Sequence, residues 1–220
     1  MIHPDTELRF VNETIGYGVY ATAFLPKGTI LYVKDSLEIE ITPNRYSKLD
    51  LSFQKLVEKY TYINEKGNRI LSWDNAKFVN HKCECNSMST GYGFEIAIKD
   101  IAIGEEITDE YGLFNLIDSM EVDCGCSKCR KILHPSDIDT YADQWDVIIQ
   151  NSLTDVLNIQ QPLFNYIDDK TKRDLCGYLK GKKPYKSVKA IKYNPVIHVQ
   201  NEITRKSRQP SIKKSIGRLS

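Results

Sequence analysis

Three cysteines crowd into six residues of this chain: Cys124, Cys126 and Cys129 form a C-x-C-x-x-C cluster. A protein core does not seat three small thiols on one tight turn, whereas a tetrahedral zinc ion takes thiolates at such spacing. Three donors leave one ligand to find, and Cys83 or Cys85 can supply it. Four sulfurs would close the site and make it structural. The competing reading is a set of reduced, packed thiols. Cys176 falls in a helical stretch and reads as core.

Three other segments carry polar chemistry. Gly16-Tyr17-Gly18-Val19-Tyr20-Ala21 has the G-x-G-x-x-A spacing of a dinucleotide turn. That motif needs a helix after it, but β-rich residues follow, and Pro26 and Gly28 arrive too soon for one. The segment reads as a two-glycine turn, or as a backbone cradle for another nucleotide-like ligand, because glycine lets a ligand approach the chain closely. In the run from Phe78 to Asn86, an apolar entry leads into Asn80, His81, Lys82 and Cys83, which offer both donors and acceptors. Taken alone it is a polar turn with a satisfied histidine. The run from Gly104 to Gly112 ends a strand on Tyr111, which by itself reads as a half-buried strand tyrosine.

The elements that must position these groups are short. Residues 7–40 read as strands, with turn chemistry at Leu25-Pro26-Lys27-Gly28. Leu49, Phe53, Leu56 and Val57 predict a helix over 43–60. Residues 60–63 return to strand character before a turn at 65–68. A faint internal echo is present: Ala21, Leu25, Gly28 and Leu31 match Ala97, Ile101, Gly104 and Ile107 in spacing, and both read as strand, turn, strand. From residue 137 the period becomes helical, through Tyr141, Trp145, Ile148 and Ile149 and then Leu153, Val156 and Leu157. Pro162 interrupts, and 163–179 reads as a second helix.

Charge divides the chain of 220 residues. Its formal net charge is +1, yet residues 180–220 hold twelve basic residues against one acid, leaving the rest at −10. A basic tail on an acidic body suggests an anionic partner such as nucleic acid, or a solvated extension. No apolar run is long enough to span a bilayer, and the first residues lack the pattern of a signal peptide. The expectation is therefore an intracellular protein, cytoplasmic or nuclear, with no membrane partner. Secretion as an effector is the other option.

Taken in order, the segments resemble a SET domain, over roughly residues 7–131. Gly16-Tyr17-Gly18 is similar to that family's N-terminal cofactor motif. Asn80-His81-Lys82-Cys83 resembles its N-H-S-C motif, with Asn86 at the following Asn. The run from Gly104 to Tyr111 resembles its G-E-E-L-T-x-D-Y strand, and Cys124, Cys126 and Cys129 its zinc-binding post-SET segment. The resemblance implies a mainly β fold with α, the SET-domain β-clip architecture with a pseudoknot, followed by a C-terminal helical region. It divides the chain into 1–131 (SET plus post-SET), 132–180 (helical) and 181–220 (basic tail). It implies an S-adenosylmethionine-dependent protein-lysine N-methyltransferase acting on a protein lysine, with histones as candidate substrates. Gly16, Tyr17, Gly18, Asn80 and His81 would bind the cofactor, Tyr111 would be the catalytic phenol, and Cys83, Cys124, Cys126 and Cys129 would hold zinc.

The sequence departs from the family pattern at four places, one of them the short C-x-C-x-x-C spacing of Cys124, Cys126 and Cys129. Lys82 replaces Ser, Cys85 replaces Pro, and Asp109 stands where many members carry an aromatic residue that tunes methyl number. Asp109 and Lys82 motivate the alternative of a catalytically weak SET-derived binding module for basic proteins or chromatin. Tyr60 or Tyr62 is expected to add a second channel aromatic. Thr204-Arg205-Lys206-Ser207 resembles a histone lysine context and suggests automethylation at Lys206.

Overall fold

The computed structural model describes residues 1–194. In chain order its elements are β1 (Thr6–Asn12), β2 (Gly16–Ala21), β3 (Ile30–Val33), β4 (Ile39–Ile41), α1 (Pro43–Tyr46), α2 (Leu51–Tyr60), β5 (Thr61–Ile63) and β6 (Arg69–Leu71). They continue with β7 (Asn80–His81), β8 (Ser87–Ser89), β9 (Phe94–Ala97), β10 (Glu106–Asp109), β11 (Met120–Glu121), β12 (Ile132–Leu133), α3 (Asp137–Leu153) and α4 (Asp169–Leu179). The strands make small sheets in the orders β1-β2-β10-β7, β3-β9-β8, β4-β6-β5 and β11-β12. This is the expected mainly β architecture with a C-terminal helical region.

The internal echo is a physical pairing. Leu25 and Ile101 exchange both backbone hydrogen bonds, at 3.0 and 2.8 Å. The Gly28 N–H donates to Ala97 O at 2.9 Å, and the Gly104 N–H donates to Ala21 O at 2.8 Å. Each copy's glycine thus bonds the first residue of the other copy. Both glycines have positive φ, +93° and +78°, which side chains rarely adopt. The six apolar echo residues share one buried cluster with Val19. The repeat therefore carries β2 and β10, the strands that bear two of the motifs, against one another; Val19 lies opposite Ile107.

Segments 80–86 and 106–111 hold each other. β10 runs parallel to β7, with Thr108 beside Asn80 and Asp109 beside His81. Asn86, almost fully buried, acts as an extra strand partner. Its Oδ1 accepts the Thr108 N–H at 2.8 Å, and its Nδ2 donates to Glu106 O at 2.8 Å. A buried amide is tolerated where its donors and acceptors are met.

The helices differ from the periodic reading in four ways. The stretch 43–60 breaks in two, because Asp50 caps a new start by accepting the Ser52 and Phe53 N–H groups. On α2, Leu51, Phe53 and Leu56 are exposed rather than buried. On α3 the buried stripe is Ile138, Ala142, Trp145, Ile149 and Leu153, while Ile148 faces outward. The second C-terminal helix starts at Asp169, where Asp168 caps it, and not at 163.

The α3 stripe joins one buried cluster with Ile30, Met88, Phe94 and Leu113 of the β region, and with Leu175 and Val188. Each such side chain is stabilised by about 1.5–3 kcal/mol on leaving water. The helical region is thus built into the same core as the sheets. The start of the basic tail is drawn in as well: Val188 is buried, and its N–H donates to Asp146 Oδ1 at 2.9 Å. Lys183, Lys189 and Lys192 pair with Asp174, Asp143 and Asp139 on α4 and α3. These lysines meet the chain's own acidic helices. Residues 195–220, with Lys206, lie outside the described residues.

Candidate functional site

The two-glycine turn meets Asn80 directly. Gly16 closes the β1–β2 turn at φ +85°, a left-handed conformation that requires glycine. A Cβ on Gly18 would lie 2.6 Å from Glu106 Oε1 and 3.0 Å from Asn80 Nδ2. The missing side chain therefore makes room for side chains of two other motifs. Asn80 Nδ2 donates to Tyr17 O at 3.1 Å and to Glu106 Oε1 at 2.9 Å. The second Glu106 oxygen pairs with Lys82 at 3.2 Å. The departure at Lys82 is thereby absorbed as a partly exposed ion pair beside the turn.

His81 joins the polar segment to Tyr111. Its Nδ1 lies 2.9 Å from Asp109 O, and the Tyr111 N–H approaches the same nitrogen at 3.3 Å. The shorter contact to a carbonyl places the proton on Nδ1, since a carbonyl oxygen only accepts. Nε2 then presents a lone pair toward Cys83 Sγ, 3.3 Å away. Burial lowers the His81 pKa to about 4, so the ring is neutral near pH 7.

Tyr111 is fixed at three points. Its phenol donates to Val79 O at 2.6 Å, its ring lies 5.4 Å from that of His81, and it lies 5.1 Å from that of Phe114. Burial pushes the phenol well above its ordinary range, so it stays protonated. Phe114 in turn touches Tyr62, and Tyr62 touches Tyr32. These aromatic groups line a cavity of about 590 Å³. Tyr60 and Tyr62 both line it. Asp109 and Glu95 are also in its lining. Burial raises both carboxyls, and the Asp109 charge raises Glu95 further. Adjacent buried carboxyls do not both ionise readily.

The loop carrying Tyr111 rests on α3. A Cβ on Gly112 would lie 2.9 Å from the Trp145 ring, so the helix packs directly on the residue after the phenol. Next to it, Arg130 bonds the Glu110 carboxylate and also Asp137 at 3.2 Å, and it sits over the Tyr141 ring. All three charged side chains are largely buried.

The cysteines are brought together in part. His81, Cys83 and Cys124 have donor atoms within 4.8 Å of one another. Cys126 Sγ lies 3.2 Å from Cys124 Sγ. The Cys129 thiol turns to Val122 O at 3.6 Å. The Arg130 N–H donates to Cys83 Sγ at 3.3 Å, while burial outweighs that bond and raises the thiol above its ordinary value. The thiolate and imidazole chemistry of this group fits zinc. Cys85 is buried in the main core, with burial pushing its thiol well above the ordinary range, so it packs rather than ligates. Cys176 on α4 is half-buried.

Sequence reasoning missed Glu95, Phe114 and Arg130. Glu95 sits in a strand whose alternation reads as solvent-facing. Arg130 reads as one more base beside a cysteine cluster. Phe114 had a signal, its position three residues after Tyr111.

Residues 16–112 match the model of the SET domain. Over that stretch the chain is similar to this family. A Plasmodium falciparum relative, the variant-silencing SET domain-containing protein, is 28% identical over 143 residues, covering 57% of this chain. The match spans 5% of that protein's length. A crystal structure of a candidate histone methyltransferase from Plasmodium falciparum aligns at a TM-score of 0.37 and 16% identity, over 50% of this chain and 95% of that one. Among the described residues no helix is long and apolar enough to cross a membrane.

Proposed function

We propose that this chain is a SET-domain, S-adenosylmethionine-dependent protein-lysine N-methyltransferase. The observation that carries the reading is the junction at Tyr111. Its backbone meets His81, next to Asn80 and the glycine turn, while its ring faces the tyrosine-lined cavity. One residue thus joins the expected cofactor side to the expected lysine side.

S-adenosylmethionine, when bound, supplies a methyl group activated on a sulfonium. Gly16, Tyr17, Gly18, Asn80 and His81 are the residues proposed to hold it. The open space at Gly16, where a Cβ would meet nothing within 4 Å, suits close approach to the backbone. The aromatic cavity desolvates the incoming amine, which lowers its pKa and exposes the lone pair. Tyr111 orients that amine with its phenol oxygen while its own O–H stays hydrogen-bonded to Val79 O. It is not a general base, because burial holds it protonated. In-line methyl transfer depends chiefly on such positioning.

In this reading Cys83, Cys124, Cys126 and Cys129 hold a structural zinc that folds the post-SET segment beside the site. The unit 1–131 carries the chemistry and 132–180 covers it. The 181–220 segment is the candidate contact for nucleic acid, in an intracellular setting. Histones are the first substrates to try, as basic proteins matched to an acidic body. The binding-module alternative draws on Asp109, buried in the cavity in place of an aromatic.

Incubation with isotopically labelled S-adenosylmethionine and histones or cell-extract proteins tests the reading. Label on lysine is expected. No transfer to any lysine, with cofactor binding measured directly, overturns it.

A further inference from the structure

One side chain ties the wall of the tyrosine-lined cavity to the far end of the described residues. Asn115 lines the cavity directly after Phe114. Its backbone is left-handed, at φ +54°, a conformation that asparagine tolerates better than most residues. Its Nδ2 donates to Ile63 O at 2.9 Å and to Ile191 O at 2.8 Å, and its Oδ1 accepts the Tyr193 N–H at 2.8 Å. A carbonyl only accepts and an N–H only donates, so one orientation of the amide meets all three partners. The side chain thereby joins β5, the loop after Tyr111 and residues 185–193.

Residues 185–193 form a strap. It crosses the β8–β9 turn at Gly91, where a Cβ would lie 2.1 Å from Lys186 O and 2.3 Å from Ser187 O. It is pinned to α3 at Asp146, whose Oδ1 accepts the Tyr185 hydroxyl and the Val188 N–H, both at 2.9 Å. At its end the Tyr193 ring rests on the β5–β6 turn, 2.6 Å from where a Cβ on Gly67 would stand.

The wall needs such a tie. Tyr62 and Phe114 line the main cavity and also a second one of about 310 Å³, which they share with Lys186, Ala190 and Ile191 of the strap. Rings that border two cavities lack the close packing that fixes an ordinary core side chain. The backbone supplies the constraint instead: Phe114 O accepts the Ile63 N–H at 3.3 Å, and Asn115 makes its three bonds at the next residue. The Phe114 ring in turn lies 5.1 Å from that of Tyr111.

We propose that Asn115 is a positioning residue: held by the strap, it fixes Phe114 and through Phe114 the ring of Tyr111. The working unit then extends past residue 131 to Tyr193. The link itself needs no catalysis. Its effect on turnover rests on the methyltransferase reading above.

Two variants of the full chain test it from opposite ends. Asn115→Gly keeps the left-handed backbone and removes the three bonds. Gly91→Ala lifts the strap without touching the main cavity, because the added methyl collides with the backbone at 186–187. Hydrogen exchange read by mass spectrometry should quicken in both variants at 61–64 and 113–117, with the β1–β2 hairpin unchanged. Wild-type exchange at 113–117 in a folded Gly91→Ala variant overturns the link. In the wild type, 61–64, 113–117 and 186–193 should lose protection in one step as urea rises. A strap that opens separately, with 113–117 still protected, overturns it even if neither variant folds. In turnover, kcat per cofactor-binding site should fall about tenfold to 100-fold, the scale of a small misplacement by a change away from the chemistry. Cofactor affinity should stay at the wild-type value, whereas simple unfolding would lower both together. An unchanged kcat in Asn115→Gly overturns the positioning role. A wild type that transfers no methyl sinks the enzyme reading, while hydrogen exchange still judges the link.

Discussion

The Tyr111 phenol donates its proton to the Val79 carbonyl at 2.6 Å. Val79 directly precedes Asn80, so the bond ties the candidate catalytic ring to the candidate cofactor strand. It also leaves the phenol's lone pairs as the groups that face a substrate. Tyr111→Phe should lower methyl transfer by about 100-fold or more, the scale for deleting one oriented polar group. Cofactor affinity should change only slightly. Transfer within a few-fold of wild type would show that the phenol is not part of the chemistry.

Protein purified without chelator should contain one zinc per chain by elemental analysis. Cys83→Ser and Cys124→Ser should each lose the metal, while Cys85→Ser should keep it, because Cys85 lies in the core. Equal loss in all three variants would point to general unfolding and against the assigned ligands.

Arg130 neutralises two carboxylates that are themselves almost inaccessible, Glu110 and Asp137. Breaking such a pair from one side costs about 3–5 kcal/mol, because buried charge is left behind. Arg130→Met should lose stability on that scale in urea unfolding. Arg130→Lys should fall between, since one ammonium does not match the guanidinium fork. A loss below about 1 kcal/mol for Arg130→Met would mean the network is effectively solvated.

Acid should weaken the fold through its histidines. His3 is buried, and its Nδ1 accepts the Asp5 N–H at 3.2 Å; burial lowers its pKa despite the opposing charge of Asp5. The unfolded chain takes up that proton near pH 6.5, before the folded one does. Below that pH the unfolded state binds more protons, so stability falls as pH drops. His81 acts in the same direction down to about pH 4. His3→Asn should flatten part of the decline in the urea midpoint between pH 7 and pH 5. Superimposable pH profiles would exclude His3 as a source.

Much of this protein is legible in one dimension. The motif order, the crowded thiols and the repeated Ala, Leu or Ile, Gly and apolar spacing are all local facts. Local chemistry suffices for them: glycine turns need positive φ, strands alternate, and thiols at tight spacing suit one metal. The helix ends were less accessible, because periodicity around 43–60 and 163–179 does not reveal that Asp50 and Asp168 offer better caps.

What the tertiary structure decided is which of those groups meet. The echo proved to be two strand-turn-strand units bonded to each other, a relation between residues far apart in sequence. Cys85 went to the core and Cys83 beside His81, because the chain turns at Cys83-Glu84 and sends the two thiols to different surroundings. Glu95, which the sequence did not single out, became a wall of the cavity. Burial, pairing and desolvation belong to the surroundings of a side chain, and the folded chain alone supplies those surroundings.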